Sequence, residues 1–452
     1  MSKSKDLTLP FLHELQETIE TMAAKSGYSI PANGITISFL VLILLFTANV
    51  PTQSDLNWSF LFLTAPAWLP FLAGRMALLR WLQYKRMEFL SGKKFVLLEI
   101  RIPRNTLKTP QAMETVLANL HLGPNESTWY KKYFVGGARP WWSLEMVSIE
   151  GVIHFYVWTR DDFRRAVETY MYAQYPEIEI IEASDYSRLL DPSKKPYKMA
   201  AYEYGHTEPD PFPIKTYVDY GLDRAPGKDE DQVNPLAQVL ELLGSAGQGE
   251  HIWVQICIRV TKSEKWRGKN NGSGKPYTWK DEAKEKVEEL RGKQLIAGGK
   301  DQKLPAPTEV QKDTIAAIER NIGKPGFDVG VRALYFATEE KYFGSMGGYI
   351  ANLWKPFGSA GLNGIKTMPG FSDTPDYPWF DPKGKKNAAA MHEAVHLYRR
   401  RAFFYPPYRS SWMVMSAEEV ATLYHVPSAN IKTTAIPRIQ STTTAAPSNL
   451  PM

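Results

Sequence analysis

Five residues toward the end of the chain have the types and spacing of a metal site. His392-Glu393-Ala394-Val395-His396 reads H-E-x-x-H, and residues 386–401 have helical spacing. On a helix, side chains four apart share a face. Both imidazoles could therefore ligate one Zn²⁺, with Glu393 as general base on the metal-bound water. Glu418 or Glu419 would be the natural third ligand, and the chemistry would be that of a membrane zinc metalloprotease. Against this, the pattern is short enough to recur by chance. Arg399, Arg400 and Arg401 follow at once and disfavour a second cation, and no third histidine follows in a Gly-containing extension. His392, Glu393 and His396 thus read as part of a basic helix. No catalytic residue is assigned, no metal or cofactor is expected, and the chain is expected to be non-catalytic.

Other motifs point the same way. Gly268 to Lys275 resembles a phosphate loop, but its glycines are misplaced and Pro276 stands where Ser or Thr is required. Phe403, Phe404 and Tyr405 begin an aromatic-proline cluster that reads as a packed corner rather than a base-stacking platform. The single cysteine, Cys257, excludes an intramolecular disulfide and any cysteine-based zinc finger. It lies in an alternating apolar run, 252–260, and reads as a small buried hydrophobe.

The elements that would position these residues follow from periodicity. Alternation predicts strands over 95–102, 141–149, 152–158 and 177–182, and helical spacing predicts helices over 110–122 and 161–175. That order is β-α-β-β-α-β, the split βαβ pattern of ferredoxin-like folds. A second pass gives strands at 214–219, 251–260, 327–338 and 361–367, with helices at 235–243, 308–322 and 340–353. The fold class is α+β, with two ferredoxin-like α/β sandwich units at 90–190 and 195–385. The second is interrupted by a basic Gly-, Lys- and Glu-rich insertion at 262–303, which holds a solvated helix at 279–291. Residues 386–430 carry the basic helix and a Glu-Glu-Val-Ala-Thr-Leu helix, and 431–452 form a linker-like tail.

Ahead of these units lie two apolar runs, 34–50 and 58–79, joined by a short polar turn. Together they predict a two-helix transmembrane hairpin over 34–82. Lys and Arg crowd its two outer ends and are absent from the turn, which puts both termini in the cytoplasm. Residues 1–33 include Phe11, Leu12, Leu15, Ile19 and Met22 at the spacing of an amphipathic helix. The net charge of +6 suits a body held against anionic lipid and tolerates nucleic acid. A membrane-tethered nucleic-acid-binding protein is thus an alternative.

Several stretches together resemble one family. They are Asn234-Pro235-Leu236 through Gly249-Glu250-His251 to Ile256, Lys324-Pro325-Gly326-Phe327 through Tyr335, Arg401 to Tyr408, and Met415-Ser416-Ala417-Glu418-Glu419-Val420-Ala421-Thr422-Leu423-Tyr424-His425-Val426-Pro427. They look like the membrane-anchored N-terminal domain that precedes the motor in bacterial type IV secretion and conjugative-transfer ATPases. The likeness spans roughly residues 30–450. It implies a bacterial cytoplasmic-membrane scaffold that recruits or positions such an ATPase; the relatives continue into a P-loop core where this sequence departs from them, so the motor is expected to be a separate chain or absent. It also allows indirect contact with DNA and homo-oligomerisation. Partner contacts are expected at Arg399, Arg400, Arg401, Phe403, Phe404, Tyr405, Glu418, Glu419 and His425.

Overall fold

A computed structural model describes residues 54–104, 106–122, 128–188, 197–224, 233–261, 277–291, 308–369, 371, 384–406, 410–429, 431, 433 and 435–439. The chain divides into two compact units. One comprises 1–92, 125–138 and 402–410, and the other 93–124, 139–401 and 411–452.

The larger unit is an α+β fold built on a single nine-stranded antiparallel sheet. The strands are β1 (Phe95–Arg101), β2 (Trp141–Ile149), β3 (Val152–Arg160), β4 (Glu179–Ala183), β5 (Tyr197–His206), β6 (Glu250–Val260), β7 (Gly326–Thr338), β8 (Ile365–Met368) and β9 (Met413–Ser416). Their spatial order is β4-β1-β3-β2-β6-β7-β5-β8, and β9 pairs with the start of β7. β1 to β4 lie in the order 4-1-3-2, and β5 to β8 repeat that order in mirror sense along the sheet. The two units expected from periodicity are therefore not separate bodies. β2 and β6, each at the rim of its own half, pair over nine residues from Trp141↔Arg259 to Ile149↔His251 and fuse the halves. Pairing these rims leaves neither as an open template for another chain.

One face of the sheet is covered by α2 (Pro110–Leu120), α3 (Arg164–Gln174), α4 (Pro235–Gly244), α7 (Gly344–Ala351) and α9 (Ala417–Leu423). Their apolar stripes join alternate strand residues in one core, among them Leu98, Leu144, Phe155, Val254 and Val331. Helix starts follow ordinary capping chemistry. Asn234 accepts from the Leu236 amide ahead of Pro235, and Ser416 with Glu419 forms a capping box. The helices α5 (Trp279–Leu290) and α6 (Glu309–Ile322), both between β6 and β7, form a small cluster of their own through Ala283, Val287, Ile315 and Ile318.

The other face is covered over its centre by α8 (Lys385–Arg399) and the turn Tyr186–Arg188. The helix expected at 386–401 is this one. Its apolar side, including Met391, Val395 and Tyr398, is buried.

The expected strand at 214–219 is not one. Ile214 makes only an isolated bridge to Asn363, and the strand in that place is β5. Side chains of α9 capture this backbone instead. Glu419 accepts from the Ile214 amide at 3.0 Å, and Thr422 from the Tyr217 amide at 3.0 Å. Asp219 accepts from the Thr216 amide at 2.9 Å. A segment whose amides are satisfied this way has none left for a ladder.

In the smaller unit, α1 (Ser54–Ser91) is a single helix containing Pro66 and Pro70. Among the described residues no helix is long and apolar enough to cross a membrane. The first apolar run, the amphipathic stretch before it, the phosphate-loop-like segment, most of the 262–303 insertion and the tail beyond 439 lie outside the described residues.

Candidate functional site

The residues with chemical potential gather on the α8 face of the sheet. Strand register sets them in a row. Ile181, Glu99, Tyr156, Glu145, Gln255, Arg332, Glu203 and Met368 stand opposite one another across all eight strands from β4 to β8. At its centre Glu145, Gln255 and Arg332 are fully buried.

Arg401 closes the row from above. It stands just past the end of α8 with φ of 49°, a left-handed position usually held by glycine. Its guanidinium makes two forked ion pairs. Nε and Nη2 donate to Glu145 at 2.9 and 3.2 Å, and Nη1 and Nη2 donate to Asp185 at 2.6 and 3.0 Å. The second Nη1 proton goes to the Arg399 carbonyl at 3.1 Å. All five N–H donors are thereby used. Burial works against the Arg401 charge, but Glu145 and Asp185 outweigh it and hold the group ionised. In turn Arg401 more than offsets the effect of burial on Asp185 and keeps that carboxyl below its usual range.

Glu145 is saturated too. Besides Arg401 it accepts from Ser143 at 2.7 Å, Gln255 at 3.2 Å and the Tyr186 hydroxyl at 2.8 Å. Because Tyr186 donates there, Tyr398 donates to Tyr186, 2.7 Å away. Gln255 is a relay. Its Nε2 serves Glu145 and the Tyr398 carbonyl, while its Oε1 accepts from Arg332. Arg332 completes the chain on Glu203. Trp253 seals the network from beside, 5.4 Å from the Tyr398 ring and 5.1 Å from Tyr186.

A second ionic group follows two rows away. Asp328 takes Arg259 at 2.8 Å, Thr261 at 2.8 Å and Arg139 at 3.6 Å. Cys257 lies between the two groups on β6, and burial pushes its thiol up to about 12. It is therefore no nucleophile at neutral pH.

The H-E-x-x-H residues, read from sequence as part of a basic helix, lie apart from this network. His392 and Glu393 lie on the exposed side of α8. His396 is partly buried, and its Nε2 accepts from Arg400 Nε at 2.9 Å, which occupies the lone pair a metal would need. Burial and then the Arg400 charge lower its pKa. Glu418 and Glu419 are not third ligands to this pair. Glu418 is ion-paired with Arg320 at 3.0 Å and Lys324 at 2.6 Å, beside Glu114 and Asp219. Glu419 caps α9 and holds Ile214. Among the described residues no three of His, Cys, Asp and Glu are gathered as a metal ion would require.

Of the expected partner contacts, Arg401, Phe403, Phe404, Glu418, Glu419 and His425 are buried. His425 accepts from Asn234 and its other ring nitrogen meets the Ala421 carbonyl at 2.9 Å. Arg399, Arg400 and Tyr405 retain surface, and Arg86 lies 4.7 Å over the Tyr405 ring. Glu145, Asp185, Gln255, Arg332 and Glu203 were not singled out from sequence. A signal was present for Glu145 and Arg332, each a charge near the middle of a long apolar strand, where it must be paired.

The fold and this network define a class: an α+β platform whose single sheet carries an apolar layer on one face and an internally paired ionic row on the other. The chain belongs to the family described as a domain of unknown function, DUF8128, which matches residues 82–438. No curated protein matches it.

Proposed function

We propose that this protein is a non-catalytic, membrane-anchored scaffold that recruits or positions a separate secretion or conjugative-transfer ATPase at the bacterial cytoplasmic membrane. In this reading both ends of an N-terminal hairpin face the cytoplasm. The observation that carries it is α1. Along α1 the second apolar run, which contains Arg75, is followed by Arg80, Lys85 and Arg86, and that charge order supports a cytoplasmic exit for the hairpin. The resemblance of 234–256 and 415–427 to the anchoring domain of such ATPases supports the partner. The strand orders of the two halves support reading each as a ferredoxin-like unit, fused rim to rim. Saturation of Arg401 and Glu145 supports a rigid platform, since neither group keeps a donor or acceptor for a substrate.

Replacing Leu42 and Leu45 with Asp tests the anchor. A charge at the centre of a span costs about 2.5–3.5 kcal/mol, so the variant is expected in the soluble fraction after lysis. Unchanged sedimentation with membranes removes the anchor. Purification from membranes followed by mass spectrometry is expected to yield a P-loop ATPase in stoichiometric amount, and its absence removes the partner.

A further inference from the structure

The smaller unit carries a surface with no role in the network above. Residues 131–135 form one π-helical turn, ended by Gly136 at φ of 72°. The turn is clamped to α1. Trp81 Nε1 donates to the Tyr133 carbonyl at 2.8 Å, and a Cβ on Gly136 would lie 2.1 Å from the Lys85 carbonyl oxygen, so only glycine allows that approach. The aromatic side chains around it pack on one another. Tyr130 and Phe134 stack at 5.6 Å and Trp129 meets Phe134 at 5.2 Å. They nevertheless remain open: Trp129 is 68 % exposed, Tyr130 61 % and Phe134 47 %, and Tyr84 on α1 is 59 % exposed. Cations are interleaved, with Lys85 5.3 Å over Trp81 and Lys132 5.5 Å over Tyr133. Segments 80–91 and 128–135 together carry Arg80, Lys85, Arg86, Lys131 and Lys132 against one acid, Glu88.

We propose that this aromatic turn, with the adjoining part of α1, is a docking surface for an anionic lipid bilayer, seating its rings at the headgroup level. The inference rests on the membrane reading of α1 and adds a second contact to it. Amphipathic rings beside Lys and Arg are the composition of a membrane interface belt. A basic excess matches anionic headgroups, each cation near the surface adding about fivefold to partitioning. Large aromatics left open side by side mark an interaction surface, and the Lys and Arg among them match an anionic headgroup layer.

The test uses the full chain in vesicles of phosphatidylcholine and phosphatidylglycerol. Cys257 is buried, so a nitroxide goes selectively onto a new cysteine at Tyr130→Cys or Phe134→Cys, with Lys312→Cys on α6 as the water-facing reference. Labels at 130 and 134 are expected to collide with oxygen more than with a nickel chelate, and the label at 312 to do the reverse. Water-like labels at 130 and 134, in chains that stay with the vesicles, overturn the docking surface and leave the anchor standing. If the chain does not insert, the anchor falls instead. The same labelled chains mixed with preformed vesicles then decide the surface, nickel protection supporting it and nickel exposure overturning it. Spectral broadening that disappears on dilution with unlabelled chain marks a second copy on the patch and overturns the lipid assignment.

Discussion

The two faces of the sheet are held by different physics, although they alternate residue by residue along the same strands. On β6, Ile252, Val254, Ile256 and Ile258 enter the apolar core beneath the helices, while Trp253, Gln255, Cys257 and Arg259 face α8 or its surroundings. The apolar face is stabilised by burial, which is non-directional and tolerates exchange of similar shapes. The ionic face is directional. Glu145, Gln255, Arg332 and Glu203 satisfy one another only when β2, β6, β7 and β5 lie in this one register, and a slip by one residue would turn every charge into the apolar core. The comparison teaches that adhesion and register are divided between the faces. A buried ion network is a poor source of net stability but an effective penalty on wrong pairings.

The largest expected effect comes from breaking the network. Arg401→Ala leaves Glu145 buried with its main cation gone and should cost about 3–5 kcal/mol in denaturant unfolding. Removing both partners in Arg401→Met with Glu145→Leu should restore most of that loss. A double variant as unstable as the sum of the singles would show that the pair is not coupled. Arg401→Gly should lose about 1 kcal/mol less than Arg401→Ala, because glycine tolerates the left-handed backbone.

Next in size is a pH effect at His425, at the end of α9 beside the apolar layer. Burial lowers its pKa from the ordinary 6.5 to about 4. The unfolded chain therefore binds a proton before the folded one does. Its contribution is fully present above pH 6.5 and is lost as pH falls to about 4, amounting to about 3 kcal/mol. In His425→Gln that part of the slope disappears. Denaturant midpoints of the two proteins followed from pH 7 to pH 4 should draw together, and parallel curves would exclude the effect.

The smallest effect belongs to the apolar layer. Ile256→Val, one residue from Gln255 but on the opposite face, should cost about 0.5–1.5 kcal/mol. It should add to the Arg401→Ala loss without coupling, since the two side chains share no partner. Coupling in the combined variant would show that the faces are not independent.

Much of the fold was legible. β1 begins at Phe95 as alternation indicates, α4 begins after Asn234 with proline in its first turn, and α6 runs from Glu309 to Ile322 behind its Thr308 cap. These elements announce themselves because period and capping are local. β5 was missed because Lys198-Met199-Ala200-Ala201 lacks the β-branched alternation of a strand, whereas Ile214 to Asp219 has it and was captured by α9 instead. Tertiary context overrode propensity at both places. The ionic site was legible only as isolated charges in apolar strands, and its members come from β2, the turn at 185–187, β6, β7, β5 and the end of α8.

By itself the sequence determined which residues alternate, which helices have apolar stripes and where caps begin them, because each depends on neighbours within a few positions. It also placed H-E-x-x-H on a helix. Only the tertiary structure decided that β2 pairs with β6, that Arg401 turns inward to two carboxylates, and that His396 accepts from Arg400. Strand partners and ion partners are chosen by contacts between residues as much as 256 positions apart, and no local period encodes a contact at that distance.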